Sequence, residues 1–111
     1  MKDKFFVPYE TAKALVLKYY NEDCDQFYDT LGVLTTDPKG YKIAAPTYHE
    51  VVDWLESKDI YVGVSFSWNF HKLTMEYDGY ITSYRGEWSS DEFATREEAL
   101  NAAILKALEL I

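Results

Sequence analysis

Cysteine, histidine, proline and basic charge are all scarce in this 111-residue chain. The single cysteine, Cys24, leaves no internal disulfide to form, and a lone cysteine in a small chain fits a reducing compartment. His49 and His71 are the only histidines, and neither stands at ligand spacing from the other or from Cys24, so no metal site is expected. The five glycines (Gly32, Gly40, Gly63, Gly79 and Gly86) are scattered and form no phosphate-cradling loop. Eleven Lys and Arg face nineteen Asp and Glu, and the net charge of -8 repels a phosphate backbone with no basic cluster to offset it. Direct nucleic-acid binding is therefore not expected. No apolar stretch approaches the roughly 20 residues of a membrane-spanning helix. After Met1-Lys2-Asp3-Lys4, the run Phe5-Phe6-Val7 is too short for a signal-peptide core before Pro8 interrupts it. The expected setting is cytoplasmic and soluble, without a membrane partner.

Aromatic residues are plentiful: 10 Tyr, 6 Phe and 3 Trp, densest between Tyr61 and Trp88. A domain of this size buries roughly 65% of the surface its unfolded chain exposes, enough for a core without staples. The chain reads as one domain spanning residues 1–111. Rings beyond what that core can hold must meet solvent, a ligand or a partner.

Apolar residues at helical spacing (Ala12, Leu15, Val16 and Tyr19) predict a first helix over about 8–20, with Pro8 in its first turn. Asn21 is the expected left-handed stop, because no glycine follows the helix. A short hairpin is read over 25–36 and a loop over 36–41, where Asp37-Pro38 and Lys39-Gly40 punctuate the chain. Thr47 and Glu50 spell a capping box, opening a second helix over about 47–58. Thr95 and Glu98 repeat it before the apolar face Ala99, Leu100, Ala103, Ile104, Ala107, Leu108 and Ile111, a third helix over about 95–110.

Between these helices the period falls to two. Ile60, Val62, Val64, Phe66 and Trp68 alternate with Tyr61, Gly63, Ser65 and Ser67. Asp78-Gly79 has the composition of a tight hairpin turn. The pattern predicts strands over 60–68, 71–77 and 80–87, an antiparallel meander covered on one face by the helices. In that register Phe66, Trp68, Tyr77, Tyr80 and Tyr84 join Val62, Val64, Leu73 and Met75 in the core, and Ile81 falls on the polar face. The fold class is α+β.

Phe6-Val7-Pro8-Tyr9-Glu10 with Ala14-Leu15, Ala45-Pro46-Thr47-Tyr48 with Trp54-Leu55, and Glu98-Ala99 with Ala107-Leu108 to Ile111 resemble a family of small uncharacterised proteins. That family recurs in genomes of gut anaerobes and in their mobile elements and phages. The resemblance covers nearly the whole chain but rests on helix starts and core positions. It implies an α+β fold and a mobile-element context, and brings no activity, cofactor or site residues. Relatives often carry Lys-x-Gly-Phe where this chain has Lys18-Tyr19-Tyr20-Asn21.

Nothing in the chain has the pattern of a catalytic centre. Glu22-Asp23 with Asp25, and Asp91-Glu92, read as solvated charges rather than a general acid and base. The serines lack the context of an activated nucleophile. No catalytic residue and no cofactor is therefore expected. The rings left outside the inferred core are the informative remainder, and Tyr41, Trp54 and Trp88 are the expected partner contacts. The expected function is a non-catalytic protein-interaction or accessory module, self-associating or binding another protein. The alternative is an acidic mimic of nucleic acid that occupies a DNA-binding protein; a small-ligand binder or enzyme ranks below both.

Overall fold

A computed structural model describes residues 5–22 and 24–111; the Met1–Lys4 segment and Asp23 of the acidic run lie outside the described residues. The elements run α1 (Tyr9–Leu17), β1 (Phe27–Tyr28), β2 (Leu34–Thr35), β3 (Ile43–Ala44), α2 (Tyr48–Glu56), β4 (Ile60–Asn69), β5 (Thr74–Ser83), β6 (Gly86–Phe93) and α3 (Arg96–Leu108). Helices and two antiparallel three-stranded sheets make the fold α+β. Backbone packing divides the chain into two units, one ending at Val51 and taking in Ile111, the other Val52–Leu110.

In the first unit, α1 packs on β3 and its Leu15 and Ala12 are buried. The helix ends two residues before the expected stop. Tyr19, not Asn21, takes the left-handed conformation (φ 64°), and its N–H donates to Val16 O at 3.1 Å while Tyr20 N–H donates to Leu15 O at 3.0 Å. These two bonds form a Schellman motif, and burial of Tyr20 near Leu15 supplies the apolar contact that offsets tyrosine's steric cost there. Burial pushes the Tyr20 phenol well above its usual range, with Cys24, Glu50 and Glu22 acting in the same direction. The hairpin read over 25–36 is present as β1 and β2, held by Asp29, whose Oδ1 accepts from Leu31 N at 2.8 Å and Val33 N at 3.0 Å. The Val33 hydrogen bond is the chief reason its carboxyl is held below the usual range. β3 pairs on the other side of β1, a two-residue strand too short to show a period in the sequence. Tyr9 and Tyr28 meet edge to face, centroids 5.6 Å apart. The capping box forms as read: Thr47 N donates to Glu50 Oε1 at 2.9 Å and Glu50 N to Thr47 Oγ1 at 3.2 Å.

The second unit is the meander β4-β5-β6 with α3 packed on one face. Thr95 caps α3, accepting from Glu98 N at 3.2 Å. Two strand boundaries differ from the sequence reading. Asp78-Gly79 is not a turn but the middle of β5; the turn lies at Tyr84-Arg85, followed by Gly86 at φ 116°. The reason is helix packing. A Cβ on Gly79 would stand 2.2 Å from the backbone oxygen of Ala99 and 3.0 Å from Ala103 Cβ, so the missing side chain is what admits α3 to the sheet. The first hairpin turns through residues 70–73, so Phe66 pairs with Tyr77 and Val62 with Ile81. Ile81 therefore faces α3 and is 1% exposed, whereas Tyr80 lies on the opposite face, its ring over Gly63 across the ladder.

Candidate interaction surface

The same register leaves one end of the meander uncovered. β6 ends where Phe93 pairs with Tyr77, and the chain turns through Ala94-Thr95 into α3. β4 and β5 run on as a pair: Ser67 with Glu76, Trp68 with Met75, Asn69 with Thr74, closed by residues 70–73. This is a two-stranded arm. On the side continuous with the α3 face it carries Phe66 (68% exposed), Trp68 (46%) and Met75. Phe70 and Leu73 are exposed in its loop. Phe66 and Trp68, assigned to the core by periodicity, are thus on the expected face but beyond the reach of the helix, while Tyr84, assigned there too, sits in the β5–β6 turn and is 76% exposed.

A lone two-stranded ribbon is marginally stable in water, and the opposite side of the arm supplies its fixings. Asn69 Oδ1 accepts from His71 N at 2.9 Å and Lys72 N at 3.0 Å, and Leu73 N donates to Asn69 O at 2.8 Å. These bonds hold Leu73 in the left-handed region (φ 56°). Asn69 Nδ2 donates to Glu76 Oε1 at 2.5 Å, and Lys72 Nζ stands 3.9 Å from the same oxygen. Glu76 also meets the Glu92 carboxyl of β6. The contact holds Glu76 below and Glu92 above the ordinary carboxylate range, as expected when two carboxyls share one proton. A cavity of about 760 Å³ opens at this notch, with Met75, Glu76, Asp91, Glu92 and Phe93 among its lining residues.

Of the three residues singled out by sequence, Trp54 is 8% exposed and belongs to the interior, with Lys58 Nζ 4.9 Å from its ring centre. It offers no surface to a partner. Trp88 is half-buried opposite Ile81, in a shallow depression beside Leu105 and Lys106 of α3. Tyr41, in the first unit, is 71% exposed. The surface that sequence reading missed is the arm. The signal was the length of the apolar alternation through Trp68, which runs past what three strands and one helix cover.

Among the described residues no three His, Cys, Asp or Glu side chains gather to hold a metal ion, and no helix is long and apolar enough to cross a membrane. No family model, curated protein or solved structure matches the chain.

Proposed function

We propose that the chain is a non-catalytic protein-interaction module whose contact surface is the β4-β5 arm. One observation carries the reading: Phe66, Trp68, Phe70, Leu73 and Met75 are exposed together on a ribbon held from its polar side. Rigid, half-exposed aromatics anchored on a strand are the residue type that dominates interface energetics. Folded surfaces seldom expose a contiguous apolar patch without a use for it. An acidic nucleic-acid mimic has weaker support, because Glu10, Glu76 and Glu109 each have a lysine nitrogen within 4.0 Å rather than standing in an open row. A cytoplasmic, mobile-element setting is part of the proposal and rests on the sequence alone.

Affinity purification of the tagged full chain from its native host, with mass spectrometry, tests the reading. Proteins retained by the wild type are expected to be lost from a Phe66→Ser/Trp68→Ser variant and kept by Tyr41→Ser. An unchanged set on the arm variant overturns it.

A further inference from the structure

The two edges of the meander differ in chemistry. β6 carries Glu87, Asp91 and Glu92 in eight residues, the kind of charged edge that blocks strand addition. β4 is ten residues long, holds no charged side chain and no proline from Ile60 to Asn69, and among the described residues pairs with no strand on its outer side. Its backbone donors and acceptors on that side form an open template.

We propose that β4 pairs antiparallel with β4 of a second copy of this chain, joining two meanders into one six-stranded sheet. The inference rests on the arm being a contact surface, and names its partner. Charge selects the occupant. At -8, two copies repel wherever their carboxylates meet, and β4 is a ten-residue strip on which they do not. Antiparallel self-pairing is also closed: one two-fold axis normal to the sheet satisfies both edges and leaves no free end for a third copy. With Val64 opposite Val64 of the second copy, even-numbered residues meet even-numbered residues and both α3 helices stay on the same side. Phe66 then lies opposite Val62 of the second copy and Trp68 opposite Ile60. Each uncovered arm runs alongside the helix-covered end of its neighbour. Asp59 falls opposite Asn69, so no carboxylate meets another across the seam. Phe66 and Trp68 of both copies, 68% and 46% exposed, together offer roughly 350–550 Å² of ring surface. With the strand backbones this stays below the ~1,200 Å² at which stable specific interfaces begin, the size class of weak, dissociating pairs.

Light scattering coupled to size-exclusion chromatography on the full chain reads the outcome. The wild type is expected at twice 12.9 kDa, dissociating on dilution. Ser65→Lys, on the exposed polar side, sets like charges diagonally across the axis and is expected to weaken the dimer several-fold while the circular dichroism of the folded chain is kept. In a Cys24→Ser background, Val64→Cys is expected to crosslink to itself, since its two Cα atoms are directly opposed at about 4.5–5.5 Å. Ser89→Cys on β6 is expected not to. A wild type that stays monomeric at millimolar concentration overturns the self-pairing. If the arm variant still loses host proteins in that case, the edge serves a strand from another protein and the interaction reading stands. A dimer indifferent to Ser65→Lys, with no crosslink at 64, overturns the self-pairing as well.

Discussion

On one face of one sheet, Ile60 and Ile81 are 3% and 1% exposed, while Phe66, a few residues along the same strand as Ile60, is 68% exposed. Both ends of the meander have the same alternation and the same side-chain chemistry. They differ in what lies above them. At the covered end α3 descends onto Gly79 and packs Ala99, Ala103 and Ile104 against the strands; at the open end β6 has stopped and α3 does not cover the rings. Amphipathic alternation marks which face of a strand is apolar, and a separate element decides whether that face is buried. Full burial of a side chain of this size is worth about 1.5–3 kcal/mol, so two ends with equal sequence patterns contribute unequally to stability.

Substitutions can break the contrast, beginning at the covered end. Gly79→Val is expected to cost about 3 kcal/mol or more in urea denaturation, because its side chain meets helix backbone that cannot swing aside. A loss of a few tenths would show that α3 does not bear on the strand. Gly63→Ala is expected to cost at most ~1 kcal/mol: its Cβ meets only the far end of Tyr80, a partly exposed ring free to rotate away. Near-equality of the two glycines would erase the distinction between a fixed and a movable neighbour. At the open end, Phe66→Ser alone is expected to cost about 1 kcal/mol or less, read under conditions where the chain is monomeric. A larger loss would mean the arm is packed after all.

The smallest effect is pH-dependent. Glu92, raised by its contact with Glu76, stabilises the fold while protonated, and that contribution disappears as pH rises through its folded value. Glu76, lowered, behaves oppositely, its contribution being lost as pH falls. Glu92→Gln removes the repulsion between two ionised carboxyls and is expected to stabilise the protein at pH 7, with the gain vanishing near the ordinary glutamate pKa of about 4.3. An identical difference at both pH values would exclude the shared proton.

The fold class, the three helices and the parity of the strand faces as far as Tyr77 were legible from spacing alone. Thr47 and Thr95 announced their helices because a cap is a local device. Register was not legible, because Asp78-Gly79 has the composition of a turn and is used for a different purpose, close approach of a helix distant in sequence. That single substitution of roles moved Ile81 inward and Tyr80 outward. The helix stop at Tyr19 was also hidden: tyrosine is disfavoured at positive φ, and only the burial of Tyr20 beside it accounts for the choice. Trp54 looked available because an edge position on a helical wheel does not reveal what packs over it. The Glu76-Asn69-Glu92 cluster depends on three strands being aligned, which no local pattern encodes.

Gly79 carries one more consequence. Every other residue adds at least a methyl group at that point, so a saturation scan of the chain should find the position intolerant of all replacements, while the aromatic positions of the arm accept many as far as folding is concerned. Divergent chains of this architecture would then drift in their rings and keep a mid-strand glycine paired with a later Ala-x-x-x-Ala helix face. That pairing, rather than aromatic content, is the mark by which kinship could be recognised.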